Sequence, residues 1–488
     1  MLFALALLVR SLGLTWGLPN AERWYSYHPD ESTRQIVGAV VSLLQGDWNP
    51  HFFNYPSLSI YATWLVYQFL MVFVPTTYVA TPYPWAEVQN IILAGRIFSV
   101  LCGALTAPLV FLIAQRLKAG NWAILAGVLA ALAPGHVQHS HFATVDVPAT
   151  FFVTLCVYLT LRAQNRKGLL WAAFVAGLAA GTKYNAGLVL MAPLVALWLL
   201  PDRNLGSRIL GSFAFILATL LAFLVSTPYA LLAPREFWGD PSKQSGFAYE
   251  LLVHPRQGSG EIFQNTGNGW IYHGTFNLPF ILTWPIIIAA GVGVYFAAKK
   301  RQFWPMLAFL ALFFFSLGFS QVRFMRYLLP LVPILVLLAA YGAAQMPKPR
   351  IWGVVLGLFS LWGTKDVLWP FIQTDPRDQA APFLRGQRVA MLGNPWFYTP
   401  PFQPQGFNSP VAGVEVTRGK IGKTPFVISE FEWREPLRLG RTDLEAMNLV
   451  SNPSITARQF KNRVPWALPG RAFVPHDYLY TNPETRIY

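Results

Sequence analysis

Long apolar runs recur along this chain as far as residue 372 and then stop. A membrane-crossing helix needs roughly 20 apolar residues. Runs of that order lie near 1–18, 88–116, 121–137, 147–163, 168–182, 185–200, 207–230, 277–298, 303–320, 327–345 and 351–371. Of the 488 residues, 54% are hydrophobic and only 12% are charged. Soluble domains rarely combine such apolarity with so few charges. The expected fold is a polytopic α-helical membrane protein with about eleven transmembrane helices over 1–372, followed by a small extracytoplasmic α/β domain over 373–488. In that domain Arg388–Leu392 and Pro425–Ser429 read as short buried strands, and 442–463 as partly helical.

The net charge of +15 could suggest nucleic acid, but much of it sits in short clusters between apolar runs. That pattern fits the excess of Lys and Arg on cytoplasmic loops better. The charges also resolve one ambiguous stretch, 57–74. If it does not cross, Arg116/Lys118, Arg162/Arg166/Lys167, Arg203/Arg208, Lys299/Lys300/Arg301 and Lys348/Arg350 all fall on the cytoplasmic side. If it crosses, all of them move outside. We therefore read 57–74 as a re-entrant or interfacial helix within a first outer loop, 19–87, with a second large outer loop at 231–276. Residues 1–18 resemble a signal peptide, yet Arg10 interrupts the run and no Ala-x-Ala site follows, so a retained span is expected. Cys102 and Cys156 both fall inside apolar runs and support neither a disulfide framework nor a thiolate metal site.

With this topology the outer face collects Asp30, Glu31, His136, His139, His141, Asp146, Lys183, Arg323 and Arg326. Asp30 and Glu31 follow an apolar segment directly, which holds two acids at the membrane face. Acids placed there suit proton abstraction or substrate binding, although a helix N-terminus also attracts Asp and Glu. Residues 32–45 show helical apolar spacing and read as an interfacial helix. Asp146 stands at a helix entrance, where capping is its plain role. Lys183 separates two apolar runs and, taken alone, reads as a snorkelling lysine. Arg323 and Arg326 break the charge rule and call for an anionic partner, of which phosphate is the simplest. His139 and His141 alternate but lack a ligand set at metal-binding spacing. The run Asn265-Thr266-Gly267-Asn268-Gly269-Trp270 suits a lid or any loop.

These motifs together resemble the C-type (GT-C) glycosyltransferases that use polyprenyl-phosphate sugars, in the protein O-mannosyltransferase and aminoarabinose-transferase group. The resemblance is carried by His28-Pro29-Asp30-Glu31, Gly46-Asp47-Trp48-Asn49-Pro50, Tyr55-Pro56-Ser57-Leu58, Ala94-Gly95-Arg96, Asp146-Val147-Pro148, Gly181-Thr182-Lys183-Tyr184 and Arg323-Phe324-Met325-Arg326-Tyr327-Leu328-Leu329-Pro330. They occur in order over most of 20–345. The resemblance implies eleven to thirteen helices, a site built by acidic outer loops, and a sugar donor on undecaprenyl or dolichyl phosphate. Arg34 lies one place later than the arginine expected after the acidic pair in aminoarabinose transferases, so that sugar is not assigned.

The implied chemistry is transfer of a sugar to an acceptor hydroxyl on the outer face of the plasma membrane, with inversion. Asp30 is the candidate base, and Glu31 would orient the acceptor or the loop. Lys183, Arg323, Arg326 and, more weakly, Arg96 would hold the donor phosphate, while Asp146 and Tyr55 would bind substrate. The partners are the lipid-linked donor, an acceptor protein, lipid or glycan, and membrane lipids, with no nucleic acid. No cofactor is assigned, and a divalent metal stays open. The alternative is a multi-spanning transporter or lipid flippase, which would carry charges near mid-bilayer and internal repeats. Topology is testable directly: Thr81→Cys should react with a membrane-impermeant thiol reagent from outside, and Gly120→Cys should not. Equal protection of both would overturn the topology and the active-site face together.

Overall fold

The structure, a computed structural model, describes residues 1–32, 35–73, 84–201, 204–257, 260–393, 397–401, 416–418, 424–441, 443–452, 454–468 and 473–488. Arg34, Thr81 and Arg203 lie outside the described residues. The architecture is a helical bundle followed by a small mixed unit, the class expected from the apolar runs. Among the described residues, five helices are long and apolar enough to cross a membrane: Trp85–Arg116, Leu205–Ser226, Arg301–Gly318, Met325–Ala343 and Pro349–Phe383. A sixth arises if Gly269–Leu282 and Trp284–Ala298, bent by 116° at Thr283, form one span.

The remaining predicted runs are helical but shorter than a straight span. Leu2–Ser11, Trp122–Ala131 and Tyr184–Leu199 are short apolar helices, and Asp146–Arg162 and Arg166–Thr182 have 17 residues each. The shortening has a physical reason: the chain breaks where polar groups are needed, as at Lys183, whose extended backbone stops one helix before the next begins. The stretch 57–74 forms the helix Leu58–Phe73, 16 residues long. At 1.5 Å per residue that is about 24 Å, short of a 30 Å hydrocarbon core. A helix is found within 32–45, at Ile36–Leu44.

Small residues set the spacing of the bundle. A Cβ on Gly293 would lie 1.9 Å from the Leu338 carbonyl oxygen, so Trp284–Ala298 and Val332–Ala343 touch backbone to backbone. Gly177 does the same against Thr219, between Arg166–Thr182 and Leu205–Ser226. Such close crossings are how helices gain packing energy where no water is released. Arg10, the charge that interrupts the first run, is fully buried. It donates to the carbonyls of Ala131 (2.8 Å) and Ala130 (3.3 Å), at the broken end of Trp122–Ala131. Its charge thus caps carbonyls that have no helical partner.

In the C-terminal segment the two expected strands are found as Val389–Met391 and Val427–Ser429. The first pairs in parallel with Val416–Arg418. The second lies beside Thr485–Ile487, which also pairs with Arg458–Phe460, both antiparallel. Three-residue strands give almost no alternation, which hides the last three from sequence reading. The segment His476–Thr481 leaves this unit and packs back on the bundle, where the Tyr478 carbonyl accepts from Gln138 Nε2 (3.1 Å).

One buried pair locks the segment after Leu2–Ser11 to the bundle. Glu31 takes both Arg96 Nε (2.9 Å) and Nη2 (2.7 Å), and both side chains are wholly buried. The same carboxylate accepts the Ala143 N–H (2.7 Å) and the Ser26 hydroxyl. Arg96 Nη1 donates to the carbonyls of Leu14 (2.7 Å) and Trp16 (2.6 Å). Burial pushes the Glu31 carboxyl up, but Arg96 outweighs it and leaves the group below the usual carboxylate range. Every polar atom of the pair is used by protein, which fixes three segments at once. Arg96→Leu should therefore lower stability by roughly 3–5 kcal/mol, the scale for stranding one partner of a buried pair. A thermal unfolding series in detergent checks this, and an unchanged midpoint would contradict it.

Candidate functional site

The Glu31 anchor determines where Asp30 points. Pro29–Glu31 forms a single tight turn, started by His28, whose Nδ1 accepts the Asp30 N–H (3.2 Å). Burial pushes the His28 imidazole down to about 3, so the ring is neutral and free to accept. With Glu31 turned inward, the next side chain in the turn faces the other way. Asp30 lies 3.1 Å from Arg326 Nη2 across a partly exposed edge of the bundle.

Arg326 joins two acids. Its Nε lies 3.9 Å from Asp146, which in turn holds Lys183 Nζ at 2.6 Å. Asp146 stands at the first position of its helix, as expected, but its carboxylate pairs with Lys183 instead of capping. Lys183 sits over the Tyr327 ring at 4.3 Å, and the Arg326 guanidinium over Phe324 at 4.1 Å. Aromatic faces support a cation without neutralising it, which leaves charge available to an anion.

Two cavities meet at this cluster. One of about 980 Å³ has walls of mixed polarity that include Asp30, Glu236, Tyr398 and Tyr480. The other, about 520 Å³, is walled mostly by apolar groups such as Leu188, Phe247, Leu251 and Leu317, with Asp146 and Lys183 on its wall. Tyr55, Glu250, His254 and Arg326 line both. Burial raises the Tyr55 hydroxyl well above its ordinary value, so it remains a hydrogen-bond donor. Glu250 lies 3.1 Å from His254, whose Nε2 is 3.3 Å from the Tyr327 hydroxyl. Asn54 donates to Glu250 (2.9 Å) and accepts the Gly246 N–H (3.0 Å), which ties the segment before Leu58–Phe73 to the segment after Leu205–Ser226.

Of the residues singled out from sequence, Asp30, Tyr55, Asp146, Lys183 and Arg326 come together here. Three do not. Glu31 and Arg96 form the buried anchor, where neither has an atom to spare for a ligand. Arg323 turns away and donates to Thr266 Oγ1 and the Gly267 carbonyl, both at 2.8 Å. It pins the Gly- and Asn-rich loop in place. His139 and His141 do not converge either: His139 faces Asp477 at 3.7 Å, while His141 bridges the carbonyls of Val137 and Leu12. Among the described residues, no three His, Cys, Asp or Glu side chains are grouped to hold a metal.

Sequence reading missed the contribution of the tail. Asp477 is fully buried and accepts the main-chain N–H groups of Met325 (3.1 Å) and Arg326 (3.0 Å). Burial raises its carboxyl, against the pull of Arg326. Arg326 Nη1 also donates to the Tyr480 hydroxyl oxygen (3.2 Å). No periodicity or motif marks these residues, because they lie some 150 positions from their partner.

Comparison with known proteins agrees with this picture. Residues 87–231 match the family described as dolichyl-phosphate-mannose-protein mannosyltransferase. An uncharacterized protein from Aquifex aeolicus (strain VF5) is 33% identical over 172 residues, 34% of this chain. The matched part spans 30% of that relative's length. Among solved structures, ArnT from Cupriavidus metallidurans bound to undecaprenyl phosphate superposes with a TM-score of 0.51 at 14% identity, over 100% of this chain and 97% of that one. The apo state of the same protein gives 0.48 at 17% identity, over 78% of this chain and 64% of that one. The whole chain thus shares the fold of that ArnT structure, and residues 87–231 are similar in sequence to the mannosyltransferase family.

Proposed function

We propose that this protein moves a sugar from a polyprenyl-phosphate donor to an acceptor hydroxyl, with inversion, on the extracytoplasmic face of the plasma membrane. One observation carries the reading: Asp30, Arg326, Asp146 and Lys183 stand where an apolar cavity opens into a more polar one. The apolar side suits the first isoprene units of a lipid, the two cations suit its phosphate, and the polar side suits an acceptor. The shared fold with a protein whose structure contains undecaprenyl phosphate supports the donor class. The acceptor is a protein, lipid or glycan hydroxyl, and the sugar is a hexose or pentose.

In this mechanism the acceptor oxygen attacks the anomeric carbon while the bond from that carbon to the phosphate oxygen breaks. The acceptor proton passes to Asp30, and the bonding pair leaves with the polyprenyl phosphate. Arg326 and Lys183 stabilise the negative charge that grows on the departing phosphate. A single displacement needs one base only, which fits the withdrawal of Glu31 into the anchor. The donor phosphate also competes with Asp30 for Arg326. Phosphate binding would loosen the 3.1 Å ion pair and leave the Asp30 carboxylate to the acceptor.

Incubating the purified protein with radiolabelled polyprenyl-phosphate sugars and following loss of label from the lipid tests the reading. Asp30→Asn should still bind undecaprenyl phosphate but lose about 10²–10⁴-fold in turnover, the usual scale for a general base. Near wild-type transfer by that variant would reduce Asp30 to a helix cap. Arg326→Lys keeps the charge but loses the planar fork that two phosphate oxygens require. Its transfer should be weakened by about 1.5–3 kcal/mol, the worth of a hydrogen bond to a charged group. Unchanged kinetics in Arg326→Lys would remove the phosphate clamp from the mechanism.

A further inference from the structure

The C-terminal segment touches the site through both of its opposed charges. On the Arg326 side the contacts act at three levels. Asp477 accepts the N–H groups of Met325 and Arg326, which begin the turn Met325–Leu331 and have no partner within it. Tyr480 accepts from the tip of the guanidinium at 3.2 Å. Phe324 supports its face. Main chain, tip and plane of this arginine are therefore all set, two of them by residues of the tail.

On the Asp30 side the grip is applied three residues upstream. The Tyr27 hydroxyl donates to Asp378 at 2.5 Å, and its ring lies between the guanidinium carbons of Arg23 and Arg377, each 3.7 Å from the centroid. Arg377 is held by Asp375 through Nε and Nη2, both 2.8 Å, and donates to the Tyr480 carbonyl at 2.7 Å. The contacts close a ring: Asp30 to Arg326, Arg326 to Tyr480, Tyr480 to Arg377, Arg377 to Tyr27, and along the chain back to Asp30. A tail that only shielded the bundle would have no need to bury an aspartate against the backbone of the phosphate-binding residue.

We propose that Asp477 and Tyr480 are positioning residues that hold Arg326 in its phosphate-binding geometry, which makes the C-terminal domain a working part of the site. The inference rests on the reading of Arg326 as a phosphate ligand. Neither residue touches the donor in this scheme; both act through Arg326. Their effect should therefore vanish when Arg326 is absent, which a purely structural role would not predict.

The test is a double-mutant cycle on the full-length protein in lipid nanodiscs, with undecaprenyl phosphate itself as the probe. Tyr480→Phe deletes one hydroxyl and keeps the ring, so it guards against Asp477→Asn failing to fold. Tyr480→Phe should weaken lipid-phosphate binding roughly tenfold, the lower end for a hydrogen bond to a charged group. Its thermal unfolding midpoint should not move. In an Arg326→Ala background the same substitution should cost nothing further, and Asp477→Asn should follow the same pattern where it folds. An equal fold-loss from Tyr480→Phe in both backgrounds, or no loss in either, would overturn the inference while leaving the phosphate reading intact. Absence of binding by the wild-type protein, or wild-type binding by Arg326→Ala, would overturn the reading of the site and this inference with it.

Discussion

A charge moved out of water costs several kcal/mol unless a counter-charge or a set of dipoles receives it, and near a bilayer few partners are available. This chain carries little charge, and the charges inside the bundle are placed accordingly. Arg10 is received by the carbonyls of a broken helix, and Arg96 by Glu31 and two more carbonyls. The Glu31–Arg96 pair has the wider consequence, because its partners come from the N-terminal segment, the long helix Trp85–Arg116 and the loop before Asp146. Once these are joined, Asp30 can face only the cavity side of its turn.

The second cluster is built differently. Asp30, Asp146 and Asp477 surround Arg326 and Lys183, so acids outnumber cations. Burial raises the Asp477 carboxyl, which lessens the imbalance. Two unit charges 4 Å apart interact by about 4 kcal/mol at an effective dielectric of 20, so each contact here is strong enough to matter and weak enough to be exchanged. A fully satisfied pair such as Glu31–Arg96 resists exchange. A shared one such as Asp30–Arg326, whose arginine also faces Asp146 and Asp477, permits it. That contrast separates the structural acid from the candidate base more clearly than any motif.

The tail contributes to the site because of how it returns to the bundle. His476–Thr481 packs against the helices and presents both Asp477 and Tyr480 to Arg326. The more polar cavity is consequently walled on one side by Tyr398, His476 and Tyr480, none of which belongs to the helical part. Because Tyr480 also contacts Arg326, that wall and the charge cluster are coupled.

Much of the fold was legible in the sequence. Apolar runs marked the helices, and two strands of the tail stood out as short apolar stretches. Runs could not reveal where a helix breaks, because a break depends on what the freed carbonyls and N–H groups find nearby. Arg10 and Lys183 show this: each reads as a flaw in an apolar run and is explained by a partner more than 30 residues away. The site was half legible. Asp30, Tyr55, Asp146, Lys183 and Arg326 were recognisable because charge and motif are local properties. Glu31 and Arg96 looked equally reactive, and Arg323 looked equal to Arg326, because sequence records that a charge exists and not which way it points. Sequence alone marked the membrane class and a set of candidate residues for the site. Only the tertiary structure decided which acid is spent on the anchor, which arginine faces the cavity, and that Asp477 and Tyr480 hold it there, since each is a matter of distance between segments that sequence order keeps far apart.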